Sequence, residues 1–364
     1  MHSKDQMTVN QAIFTLILFF FGSSVILGIS TKVAQDSWAA ILIGALIALP
    51  VLLMYAQILR RYPGKDLFEI ADILLGKKAG AVIAVLYTWY ALHLGALVLR
   101  NFSDFIQISL LPETPQLPIT ILMILTSIYL TRSGMRAIGK WSVAIIFYII
   151  FVIVFTFTAA MRLVHLDELF PLLQHPPREI LDAGVGIAAF PFAESVILLC
   201  AGKAVPKGKS RKVYLIPLLF TTAVFLLAFV RNISLLGQKM FEVSLFPSYV
   251  TARIIQLGNF ITRIEGSISS NFVMTGLVKI SLCLTAGARG ISRLAGLPDY
   301  KTMVMPAGMF VFMLTVILFD NTMDMFHFIE YYPVYAFPFQ VLVPFLIFFV
   351  AEVEARHAKK RQPA

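Results

Sequence analysis

The chain has 364 residues, 59% hydrophobic and 14% charged, with a mean hydropathy of +0.83. Soluble domains average about 45–50% apolar and about 25% charged, so a single core could not hide this much oily surface. That excludes an ordinary soluble enzyme, a disordered chain and a fibre, and leaves a polytopic helical membrane protein. Cys200 and Cys283 lie in apolar segments and read as small buried hydrophobes, not a disulfide framework.

A helix crossing the hydrocarbon needs about 20 mostly apolar residues. Ten such stretches run along the chain, near 10–30, 38–59, 80–100, 117–131, 141–161, 181–200, 213–231, 268–288, 303–320 and 331–351. The fourth is short, and the sixth carries an internal proline and glutamate. Gly28-Ile29-Ser30 loosely resembles a signal cleavage site. Removing the first stretch would leave an odd number of spans, so it is expected to stay as a span. With the N-terminus inside, most Lys and Arg fall on the cytoplasmic side, including Arg60, Arg61, Lys77, Lys78, Arg132, Arg136, Lys207, Lys209, Arg289, Arg293 and the tail at 352–364. Both termini are therefore expected in the cytoplasm. The net charge of +10 is a topology signal, and no nucleic-acid partner is expected.

Two connections are amphipathic: Tyr62–Lys78 after the second span and Phe246–Phe260 after the seventh. The first and sixth spans, also five apart, both contain helix-breaking residues: Gly22-Ser23-Ser24 and Gly28 in one, Gly184, Gly186 and Phe190–Glu194 in the other. A five-helix unit is odd, so its second copy must enter the membrane inverted. The chain is thus expected to be one membrane domain, 1–364, built as a 5+5 inverted repeat over 10–161 and 181–351 with helices 1 and 6 broken.

A break frees backbone N–H and C=O groups, tolerable in a membrane only where they face protein or a wet cavity. A half-helix starting near Ser24 would aim its positive end at a carboxylate, with the Ser23 and Ser24 hydroxyls beside it. Carbonyls near Ala189–Pro191 would accept from an ammonium group. Such a hollow suits a small amino acid bound at the Gly22-Ser23-Ser24 break and near Pro191, with Tyr87, Tyr90, Phe190 and Phe192 as apolar walls. Glu194, Lys279 and His93 fall inside spans, where each ionisable group is expensive unless paired or wet. Glu194 and Lys279 are expected to form a charge pair or share one cavity, acting either as a proton- or ligand-responsive switch or as a static brace; His93 is a third candidate. No HExxH, GxSxG, phosphate-binding loop or metal-spaced Cys/His cluster occurs, so no enzyme, cofactor or metal is expected.

The opening MTVNQAIFTLILFFFGSSVILGIS, FPFAE in span 6, and FPSYVTARIIQLGNFITRIEGSIS followed by VKISL resemble the spore-germination permease family, in the amino acid–polyamine–organocation transporter superfamily. The resemblance implies a LeuT-like all-α fold of ten transmembrane helices. It implies the B subunit of a nutrient germinant receptor in the spore inner membrane, binding a small germinant, often an L-amino acid, between spans 1, 3, 6 and 8. It also implies receptor A and C subunits as partners, and a lid in which Arg263 and Glu265 match the family's Arg-x-Glu. A proton-coupled amino-acid transporter is the alternative.

Overall fold

The computed structural model describes residues 5–22, 24, 31–255 and 265–360. Those residues form helices and connecting turns, and each of the ten apolar stretches contributes one. Spans one to seven are α1 (Val9–Phe21), α2 (Ser37–Arg61), α3 (Leu67–Ser109), α4 (Gln116–Ser133), α5 (Met135–Ala160), α6 (Pro177–Cys200) and α7 (Ser210–Val243). A short helix, α8 (Pro247–Ile254), follows. Spans eight to ten are α9 (Glu265–Leu294), α10 (Tyr300–Ile317) and α11 (Thr322–Arg356). Eight of these segments are long and apolar enough to cross a membrane, and the chain is a multi-pass membrane protein. The two that fall short are α4 and the 13-residue α1.

Local chemistry sets the helix starts and stops. Thr8 and Gln11 form a reciprocal capping box at α1, and Asp66 and Glu69 form another at α3. The amphipathic Tyr62–Lys78 connection is helical from Leu67 and joins the third span through Gly76, whose φ of +80° suits glycine. Lys203 clamps that cap from the other side, 3.4 Å from Asp66 and 2.9 Å from Glu69. Of the second amphipathic connection, α8 is helical; residues 256–264, which include Arg263, lie outside the described residues, as do Ser23 and Gly28.

Two helices are interrupted. α1 stops at Gly22, whose φ of 0° and ψ of −122° leave the helical region, after about 20 Å of rise, less than the roughly 30 Å hydrocarbon. α6 is interrupted at Phe190, where φ −134° and ψ 110° are extended, within one wider, π-type turn over Ala188–Phe192. The most extensive helix pairings are α3 with α9, then α2 with α7. Small residues permit the first of these close approaches. A methyl group on Gly276 would lie 2.6–2.8 Å from the Phe102 ring, and methyl groups on Gly287 and Gly290 would meet Leu92 and Thr88.

Gly276→Val should therefore wedge α9 off α3 and destabilise the bundle by about 1–3 kcal/mol. Thermal melting monitored by size-exclusion chromatography in detergent checks this; an unchanged midpoint would show that the interface has slack.

Candidate functional site

The two interruptions meet at the middle of α9. Lys279, fully buried, extends from α9 into the gap and places its Nζ 2.5 Å from Glu194 Oε2 on α6. Its ammonium also lies 5.1 Å from the Phe19 ring on α1 and 4.8 Å from the Phe190 ring at the α6 break, within cation–π range. Gly22 makes room for the Lys279 stem: a Cβ there would sit 2.5 Å from Lys279 Cδ. One cation thus touches both broken helices and the helix that carries it.

The other Glu194 oxygen is held from the opposite side. Tyr332 donates to Glu194 Oε1 at 2.6 Å. Because its proton is committed there, Tyr90 must donate across the 3.1 Å contact with Tyr332. Tyr90 accepts in turn from Gln340 Nε2 at 2.9 Å. The donors therefore run in one direction, from Gln340 through Tyr90 and Tyr332 to the carboxylate, an arrangement in which each bond polarises the next. Gln340 Nε2 also reaches the Ala189 carbonyl at 2.9 Å, and Tyr55 donates to the Gln340 backbone carbonyl, with the Ala193 carbonyl 3.2 Å from the same hydroxyl. The protein itself thus binds carbonyls exposed by the α6 break, at one of the positions where the sequence suggested an ammonium ligand.

The remaining candidates separate by location. Tyr87 is buried and donates to the Phe339 carbonyl at 2.6 Å. Pro191 is buried, and Phe192 packs edge-on against Phe20 with ring centroids 5.2 Å apart. His93 stacks on Trp89 and pairs with the Tyr335 hydroxyl at 3.0 Å, without contacting the ion pair. Glu265 opens α9, and Arg263 and Ser23 lie outside the described residues. Ser24 is buried and lines a cavity together with Phe21, Phe225 and Thr275. Sequence reasoning missed Tyr332, Gln340 and Tyr55. The only available signal was a run of tyrosines and a glutamine within an otherwise apolar span, since a buried Tyr needs a partner for its hydroxyl.

A cavity of about 560 Å³ opens from the end of the bundle opposite the N-terminus and stops at Phe190 and Tyr332. Those two rings, 6.2 Å apart and edge-on, stand between the cavity and the ion pair. Its rim carries Lys32, Glu179, Asp182, Glu242 and Glu330, with Lys32 and Glu330 paired at 2.5 Å across it. Near the rim, the buried Asp36 carboxylate accepts from the Gln174 and His175 backbone at 2.8 and 2.9 Å and faces His175 Nδ1 at 3.0 Å, tying the α5–α6 connection to the start of α2.

Residues 6–325 match the model of a family described as spore germination protein. The chain belongs to the spore germination permease family. It is 24% identical over 364 residues to spore germination protein KB of Bacillus subtilis (strain 168), covering 98% of this chain and 97% of that one. It is 25% identical over 296 residues to spore germination protein GerQB of Bacillus cereus, covering 80% of each. Among solved structures, MhsT in complex with L-phenylalanine superposes with a TM-score of 0.66 at 13% identity, over 96% of this chain and 89% of that one. An outward-open, substrate-bound Na⁺-coupled sialic acid symporter superposes with a TM-score of 0.64 at 14% identity, over 87% and 75%. The fold is LeuT-like, and the family is of permease-like membrane proteins, not an enzyme class.

Removing one member of a buried pair strands the other, at a cost of about 3–5 kcal/mol, while removing both relieves much of it. Lys279→Met should therefore destabilise strongly, and adding Glu194→Gln should restore a large part of the melting midpoint. If the double variant melts as low as the two single losses added together, the two residues are not energetically paired.

Proposed function

We propose that this chain is the B subunit of a nutrient germinant receptor, a sensor that binds a small germinant, an L-amino acid being the best match, above the ion pair. The observation that carries this reading is the position of Phe190 and Tyr332: each lines the large cavity, and each also contacts Lys279 or Glu194. A ligand pressing on these rings would change how the two broken helices sit on α9. The rim is mainly acidic, with Glu179, Asp182 and Glu242 beside the Lys32–Glu330 pair, which suits attraction of a ligand's ammonium group. The complex of the structural neighbour MhsT with L-phenylalanine supports an amino acid as the ligand class. A ligand can shift such an equilibrium only by its difference in affinity for the two arrangements, so contacts that change with the ion pair are the useful ones.

The 5+5 organisation over 10–161 and 181–351 belongs to the same proposal. It is supported by the prominence of pairings between spans five apart, α3 with α9 and α2 with α7. So do the other assignments: both termini cytoplasmic, the spore inner membrane as the site, and A and C subunits as the partners that read the shift. Among the candidate contacts, Gly22 acts through Lys279, Tyr90 through Tyr332, and Phe190 directly. The assignment of Arg263 with Glu265 to a lid belongs to the same proposal, Arg263 itself lying outside the described residues.

Proton-coupled amino-acid transport is the second reading, favoured by the titratable pair at the crossing point of a transporter fold. Uptake of labelled L-amino acids by liposomes holding this chain alone separates the two: the receptor reading expects no concentrative uptake, and robust uptake would replace it with transport. For sensing itself, spores carrying Tyr332→Phe should need about tenfold more germinant across a panel of L-amino acids, the loss expected for one hydrogen bond to a charged group. An unchanged dose response in both Tyr332→Phe and Phe190→Ala would remove this cavity from germinant recognition.

A further inference from the structure

Arg231, on α7, is 6% exposed. Its Nε and Nη2 donate to Asn232 Oδ1 at 3.1 and 2.8 Å, and its Nη1 donates to Thr156 Oγ1 at 3.0 Å. Both acceptors are neutral. Arg61, Arg100, Arg289 and Arg293 each hold a carboxylate; among the described residues Arg231 has none. Of the five N–H groups of a guanidinium, two are left without a partner there. A buried cation with only neutral partners is expensive and marks a place where an anion would be stabilising.

The guanidinium forms part of the wall of a second cavity, of about 200 Å³, between α1, α5, α7 and α9. Most of the wall is apolar, with Phe21, Phe225, Phe229 and Phe272 prominent. Other buried polar residues line it, among them Ser24, 1% exposed, and Asn271, 7% exposed. Among the described residues, Ser24 Oγ and Asn271 Oδ1 have no hydrogen-bond partner. Three polar side chains thus have unspent hydrogen-bonding capacity around one small, oily space. Val154 and Leu227 also line it and are 55% and 47% exposed, which puts its mouth on the lipid-facing side of the bundle.

We propose that this cavity binds a carboxylate carried on a compact apolar body, with the carboxylate on Arg231 and the body against the phenyl rings. The Ser24 hydroxyl can donate to the same carboxylate, and Asn271 can present either end of its amide. The volume holds a body of amino-acid size and excludes a two-chain lipid; a single acyl chain would leave through the mouth. The cavity shares no lining residue with the one above Phe190 and Tyr332, so this site stands apart from the germinant reading.

The test uses the full chain in phosphatidylcholine nanodiscs, with radiolabelled 4-methylpentanoate as a water-borne probe and radiolabelled palmitate as a bilayer-borne one. Saturable binding of at least one acid is expected. It should weaken at least tenfold in Arg231→Gln, and at least tenfold when the neutral 4-methylpentanamide or palmitamide replaces the acid. Ala228→Trp fills the cavity from its wall without removing the charge, and should also abolish binding. Binding of 4-methylpentanoate alone assigns the ligand to water, binding of palmitate alone assigns it to the bilayer, and either supports the site. No saturable binding of either acid by the wild-type chain, equal binding of acid and amide, or undiminished binding in Ala228→Trp would overturn it.

Discussion

A cation enclosed in the middle of a membrane bundle must find a counter-charge, and Lys279 finds Glu194. That requirement organises the centre of this protein. The lysine comes from an unbroken helix, α9, that packs along α3; the glutamate comes from just beyond the break in α6. The stem of the lysine passes Gly22, where α1 stops, at a distance that leaves no room for a side chain. Glycine at the end of α1, an extended residue at Phe190 and a charge of each sign are therefore parts of one junction.

In transporters of this architecture the space between the broken helices is where a ligand sits. Here an ammonium and a carboxylate of the protein's own occupy it, with aromatic rings at the walls and a relay of hydroxyl donors behind. The open volume lies to either side, above Phe190 and Tyr332 and beyond Phe21 and Ser24. The centre is therefore filled by the protein's own charges, with a cavity on each flank. A buried ion pair is weak evidence for net stability, although removing one partner alone is costly.

Much of the fold was legible because hydrocarbon imposes long apolar runs: each of the ten stretches read from the sequence contains a helix, eight of them long and apolar enough to span. The breaks were legible too, since Gly22 and the Phe190–Glu194 motif are poor helix interiors. The pairing of Glu194 with Lys279 could be framed only as an expectation: the two are 85 residues apart, and no periodicity sets the rotation of α9 against α6. Tyr332 and Gln340 were hidden because a tyrosine in an apolar span looks like packing until its hydroxyl has a neighbour. Arg231 was hidden differently, because a single arginine at the end of an apolar run looks like a marker of the membrane boundary. Its burial and its lack of a carboxylate are properties of tertiary structure alone.

The central claim is that Lys279 holds the broken helices against the scaffold. Pulsed dipolar spectroscopy between spin labels at the exposed Asn10 on α1 and Leu294 on α9 tests it most directly, in nanodiscs and without ligand. The account predicts a narrow distance distribution in the parent chain and a broad or shifted one once Lys279 is replaced by methionine. An identical narrow distribution in both would contradict it, because α1 would then be held in place by its packing alone.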